Sequence, residues 1–237
     1  MICGKEILSQ PAIQIISFMF KRIYIICEGE TEQEFCSNIL SKYFIEKEKQ
    51  LHCPLIKKTM GGIVNWEHLK KQIEITLKTD TTAFVTTLID YYGLYSKHNF
   101  PNWDKAEGIL DKNERMTILE NGMVNDIDKR LRNHFIPYIQ LHEFEGLLFN
   151  EEDYFYKVIP EEELIGIDEL KKTFKEFDNP EMINNNPETA PSKRLQRIIK
   201  GYNKIVYGNI LADEIGIQNI MKKSNRFRNW IERIEKI

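Results

Sequence analysis

No stretch of this 237-residue chain approaches the roughly 18 consecutive apolar residues that a membrane span requires. The longest candidate, Ile13 to Phe20, is too short, and it lacks the basic start and small-residue cleavage site of a secretory signal. Cysteine is scarce: Cys3, Cys27, Cys36 and Cys53 show no paired spacing, and none lies beyond position 53. That pattern argues against a disulfide framework or a zinc ribbon, and a reducing cytoplasm is the expected compartment. There is no Gly-x-x-x-x-Gly-Lys-[Ser/Thr] string, so the chain has no phosphate loop of its own for ATP hydrolysis. Helix-turn-helix, zinc-finger and RNA-recognition signatures are also missing, which leaves base specificity unread. Repeats and low-complexity tracts are absent apart from a short Asn run.

What is present is ordinary for a folded protein. Hydrophobic residues make up 42% and charged residues 29%, against a formal net charge of −3, so a disordered chain is excluded. The charge is unevenly spread. Glu143 to Glu181 holds 13 acidic and 4 basic residues, whereas Ser192 to the end holds 11 basic and 4 acidic. A basic tail of this kind can attract a polyanion, or it can be a set of solvated helix faces.

Four segments carry strand patterns. Arg22 to Cys27 is β-branched, aromatic and almost wholly apolar, as a strand buried on both faces should be. Glu28-Gly29-Glu30 interrupts it, and Thr31 with Glu34 then reads as a capping box opening a helix to about Lys47. Further strands are expected near Cys53 to Lys58, at Ala83 to Ile89 and at Phe135 to Leu141, with helices near 65–77 and 117–133 between them. This alternation predicts an α/β fold: a mostly parallel four-stranded sheet flanked by helices, with right-handed crossovers. Beyond His142 only helical patterns follow, and Lys193 to Ile237 reads as three short helices. The expected division is an N-terminal extension (1–20), an α/β domain (21–150) and a helical C-terminal subdomain (151–237). Because Met19-Phe20 leads straight into the first strand, Met19 is the expected start, with the preceding 18 residues an upstream extension.

In an open parallel sheet, ligands gather beyond the carboxyl ends of the strands. Here three of the four predicted strands end in acids: Glu28, Asp90, and the pair Glu143 and Glu145, with Glu32 one helical turn past Glu28. Carboxylates held together need a cation or displaced pKa values. An oxygen-only donor set suits Mg²⁺, or Mn²⁺ in its place. Taken singly, Glu32 and Glu34 are equally explained as helix-start residues, Asp90 as a turn residue and His142 as a buried histidine. Gly61-Gly62 can form a small anion nest or a simple turn. Tyr91, Tyr92, Tyr95, Phe100 and Trp103 can stack on bases or pack the loop after the third strand.

The run Ile25 to Glu32 resembles the opening motif of Toprim domains, in the variant found in the overcoming-lysogenization-defect (OLD) nucleases. The chain from Lys21 onward also resembles the Toprim-like family catalogued as domain of unknown function 4276. The matching pieces are Glu28 to Glu32, Asp90-Tyr91-Tyr92-Gly93, His142 to Phe149 and Pro191-Ser192-Lys193-Arg194. The resemblance implies a Toprim-like, Rossmann-like sheet and divalent-metal-dependent cleavage of nucleic acid. It makes Glu28 a metal ligand or general acid/base and Asp90 the first acid of the third-strand pair. Tyr92 stands where the second acid is usual, so Glu143 or Glu145 is expected to supply that ligand, with Glu32 at a second ion. Lys193 and Arg194 are the expected cationic donors to the phosphate, and Lys193, Arg194 and Arg197 the expected nucleic-acid contacts. DNA is the expected substrate, with a separate AAA/ABC-type ATPase as partner, in phage defence or mobile-element biology. The rival reading is an inactive Toprim-fold binding or regulatory subunit. A small-molecule phosphotransferase is a third, and a two-fold homodimer is the default should the chain associate.

Overall fold

The computed structural model describes residues 20–57, 65–183 and 186–237. The N-terminal extension up to residue 19, the Gly61-Gly62 turn and most of the Asn run lie outside those residues. Five strands, β1 (Lys21–Cys27), β2 (Lys49–His52), β3 (Phe84–Asp90), β4 (Phe135–Ile136) and β5 (Ile139–Gln140), form one wholly parallel sheet. Their order is β2-β1-β3-β4, with β5 also on β3.

β4 and β5 are one strand interrupted at Pro137. Val85 pairs with Phe135 and Ile89 with Ile139, so the register carries through the break. Between them, Thr87 supplies the missing ladder bonds from its side chain. Its Oγ1 accepts from the Tyr138 amide at 3.0 Å and donates to the Tyr138 carbonyl at 2.9 Å. The predicted fourth strand is therefore present, notched where proline has no N–H to give.

The second strand starts earlier than expected. Glu48 adopts a left-handed conformation (φ 58°) and turns the chain so that Lys21 pairs with Lys49. Regular pairing ends at His52. Only the Cys27–Leu55 bridge continues it, with the Cys27 amide bonded to Pro54 O and the Ile56 amide to Cys27 O.

Ten helices flank the sheet among the described residues. The first, α1, is continuous through three segments: Glu30–Phe35, a π segment Cys36–Leu40, and Ser41–Ile45. Its cap differs from the sequence expectation. Gly29 is the N-cap, and Glu32, not Glu34, reaches back to it, its Oε2 accepting from the Gly29 amide at 2.9 Å. Thr31 is buried, and Glu34 instead accepts from Asn38 Nδ2. Next come α2 (Trp66–Thr79), α3 (Trp103–Glu107) and α4 (Lys112–Asp126). The last begins a turn before the predicted span because the Asp111 side chain caps the Glu114 amide at 2.8 Å. The C-terminal half supplies α5 (Glu152–Val158), α6 (Ile167–Glu176), α7 (Pro191–Ile198), α8 (Lys204–Ile215), α9 (Ile217–Lys223) and α10 (Asn225–Glu235). Four helices, not three, thus follow Ala190.

Strand alternation divides the core into two layers. Ile23, Ile25, Cys27 and Leu88 face α1 and the C-terminal helices, packing with Phe35, Leu211, Phe227 and Trp230. Ile26, Val85, Ile89 and Ile139 face α2 and α4, packing with Leu69, Ile73, Met116 and Leu119. The C-terminal helices are therefore bound into the sheet's own core. Trp230 stacks on Tyr138 at 4.5 Å, and its indole N–H donates to Thr86 Oγ1 at 2.8 Å. No described helix is long and apolar enough to cross a membrane.

Candidate functional site

The parallel sheet brings its acids to one edge. Glu28 directly follows β1, Asp90 ends β3, and Glu143 and Glu145 lie just past β5, the latter in a short 3-10 turn, Phe144–Leu148. Glu32 leans in from the first turn of α1. The strand ends are cross-tied through the acids themselves. Glu28 Oε2 accepts from the Asp90 amide at 2.9 Å, and Asp90 Oδ1 accepts from the Phe144 amide at 3.1 Å. Glu143 is fully engaged, its oxygens accepting from the Ser192 amide (2.9 Å) and hydroxyl (3.0 Å), which anchors the start of α7 beside the acids. Tyr92 holds the same edge through its backbone, donating to His142 O at 3.1 Å.

The electrostatics confirm that these groups sense one another. Asp90 lies well above the usual carboxylate range, first from burial and then from Glu32, Glu28, Glu145 and Glu143. Glu32 is pushed up to about 7 by burial, with Glu145 and Glu28 adding to it. Burial also raises Glu28 and Glu143, the latter further through Glu145. A low-dielectric cluster of like charges behaves in this way.

Among the described residues one cation enters the cluster, and the sequence did not mark it. Lys204, the first residue of α8, places Nζ 2.8 Å from Glu145 Oε1, and Glu145 is 1% exposed. Burial opposes the Lys204 charge, but Glu145, Glu143 and Asp90 outweigh it and raise its pKa. The only local signal was Asn203, a helix cap immediately before it, whose side chain accepts from the Val206 amide. The Tyr202 hydroxyl, buried without a hydrogen-bond partner and raised by burial, Glu145 and Glu143, belongs to the same wall.

The predicted basic contacts separate. Lys193 is exposed and donates only to Gln196. Arg194 is corrected by the structure: it is 4% exposed, and its guanidinium is committed to Thr189 O, Thr173 Oγ1 and Glu169, with Phe177 beneath it. It holds α6 to α7 and has no face for a phosphate. Arg197 is exposed and paired with Glu169 at 2.8 Å. The loop aromatics largely pack: Phe100 is buried against Trp66, and Tyr91 stacks on Trp103, leaving Tyr95 exposed.

The donors fit a hard divalent cation by chemistry. All are carboxylate oxygens, and Glu145 Oε2 is buried with no hydrogen-bond partner. No coordination shell is formed, however: among the described residues, no group of three or more His, Cys, Asp or Glu side chains is arranged to hold a metal ion.

Fold and site together define an α/β protein with an acidic cluster at the carboxyl edge of a parallel sheet. The model of the family described as domain of unknown function (DUF4276) matches residues 27–235, and the chain belongs to that family. Among solved structures, the C-terminal region of the Burkholderia pseudomallei OLD protein is similar at 14% identity, covering 92% of this chain and 98% of that one, with a TM-score of 0.45. No curated protein matches the chain.

Proposed function

We propose that the chain is a divalent-metal-dependent nuclease of Toprim type, hydrolysing phosphodiesters in nucleic acid, with DNA the expected substrate. The observation that supports this most is the gathering of Glu28, Glu32, Asp90, Glu143 and Glu145 at one sheet edge, with Lys204 placed at Glu145. Glu28, Asp90 and Glu145 would hold one Mg²⁺ or Mn²⁺, and Glu32 a second beside Glu143. When bound, such ions lower the pKa of water and offset charge on the phosphate. The chain's own residues supply the rest. Glu143 fixes α7 through Ser192 and so fixes that wall of the site. Lys204, protonated at neutral pH, is placed to hold the charge developing on a phosphate oxygen, a role the sequence reading had given to Lys193 and Arg194. If the reaction uses ATP, it comes from a separate AAA/ABC-type ATPase, and phage defence is the proposed setting.

A second reading, an inactive binding or regulatory subunit, is favoured by one feature. Tyr92 stands in place of an acid, and a phenol is a poor ligand for Mg²⁺ at neutral pH. Degradation of plasmid and single-stranded DNA with Mg²⁺ or Mn²⁺ separates the two. The nuclease reading expects cleavage by the wild type and its loss in both Glu28→Gln and Asp90→Asn. No cleavage by the wild type, alone and with a neighbouring ATPase, selects the binding subunit.

A further inference from the structure

On the α4 side of the acidic edge stands a second group of charges that no part of the proposed chemistry has used. Lys112, the first residue of α4, is half-buried, and its ammonium lies 2.8 Å from His142 Nε2. Arg115, one turn further along, donates to the Tyr91 hydroxyl at 3.0 Å and to the carbonyls of Ile109 and Glu107. Among the described residues neither cation is ion-paired to a carboxylate; their hydrogen bonds go to neutral acceptors. Partly buried charge without a counter-charge is costly, and the cost falls when an anion is bound.

His142 adds an independent sign. It is 1% exposed, takes a left-handed conformation (φ 68°), and leaves Nδ1 buried without a partner. Such strain in a non-glycine residue is retained where surrounding structure holds it, and it concentrates at binding sites. Both ties lead straight to the acids. Tyr91 follows Asp90, and His142 precedes Glu143. The buried imidazole, with Nε2 2.8 Å from the ammonium, fixes the direction of Lys112.

We propose that Lys112, oriented by His142 and backed by Arg115, binds a phosphate group of the substrate next to the one at the carboxylates. This rests on the nuclease reading for its substrate, but not for its anion. The chemistry is shared by an internal phosphodiester and a terminal phosphate. With Lys204 on the opposite wall, the acidic edge is flanked by one cation from each helical layer, so a nucleic-acid backbone crossing it meets a cation on both sides.

The test is calorimetric titration of the purified full chain, in EDTA, with inorganic phosphate and then with 5′-phosphorylated and 5′-hydroxyl oligonucleotides. Wild type binds inorganic phosphate saturably, Lys112→Gln weakens it about tenfold, and Lys112→Arg retains it. For oligonucleotides, Lys112→Gln lowers the salt slope by about one. A preference for the 5′-phosphate assigns the pocket to a terminus, and equal affinity assigns it to an internal phosphodiester. Absence of phosphate binding in wild type, or equal binding in a folded Lys112→Gln, overturns the proposal. Phosphate binding without any DNA cleavage would remove the nuclease reading and leave the pocket standing, and cleavage with no effect of Lys112→Gln would do the reverse.

Discussion

Glu32→Gln isolates the energetic cost of the acidic edge. Glu32 is 7% exposed, and one of its oxygens caps the Gly29 amide at 2.9 Å, a bond that a glutamine carbonyl can keep. What the substitution removes is the charge. Burial, Glu145 and Glu28 raise its pKa from 4.5 to about 7. Between those values the folded state binds more protons than the unfolded state, so this group stabilises fully below pH 4.5, and that contribution is lost as pH rises through 7. The full shift corresponds to about 3 kcal/mol, of which about 2–3 kcal/mol falls between pH 5 and pH 8. Glu28, Asp90 and Glu143 are raised as well, so both proteins lose stability with pH, and only their difference reports Glu32.

Urea unfolding in EDTA at pH 5 and pH 8 measures that difference. Glu32→Gln should gain on wild type by about 2–3 kcal/mol across the interval. A gap that stays flat with pH refutes the premise that Glu32 is forced into a field of buried like charge. Mg²⁺ at pH 8 then supplies a second readout. Present at a hundred times its Kd, it would stabilise wild type by about 2.7 kcal/mol and close the gap.

Two other substitutions test the structural roles assigned above. Arg194→Ala should cost about 2–3 kcal/mol in urea unfolding, because it empties a buried site and takes the guanidinium from the Thr173 hydroxyl, while Glu169 keeps Arg197. The folded variant should keep its nucleic-acid affinity; weaker binding at unchanged stability would return Arg194 to the interface. Gly122→Ala should lower the thermal midpoint despite alanine's better helix propensity. Its Cβ would stand 2.6 Å from Pro101 O, so α4 and the loop after β3 must separate, at about 1–3 kcal/mol. An unchanged or raised midpoint would show that the loop yields freely.

The sheet was legible because its strands are apolar runs with acids or turns behind them, and parallel pairing follows from the helices between them. Its errors have local causes. The second strand was placed at the apolar residues near Cys53, whereas the left-handed turn at Glu48 sets the register and starts pairing at Lys49. Thr31 looked like a cap because Ser and Thr usually are. A glycine N-cap has no side chain to advertise itself, and the reciprocal Glu32 is visible only once Gly29 is known to be the cap.

The site divides along the same line. Acids at successive strand ends could be placed on one edge from topology alone, since every parallel strand delivers its last residue to the same side. The cations could not, because their positions depend on helices packed from elsewhere in the chain. Arg194 was the exception that periodicity could have resolved. Pro191, Arg194, Leu195 and Ile198 share one face of α7 and all are buried, whereas Lys193, Gln196 and Arg197 lie on the other and are exposed. An arginine in phase with a leucine and an isoleucine belongs inside. Lys204 and Lys112 carry no such phase, since each is the first residue of its helix. Their meeting with Glu145 and His142 is decided by where α8 and α4 dock on the sheet. Sequence shows where negative charge must collect; tertiary packing decides which lysines answer it.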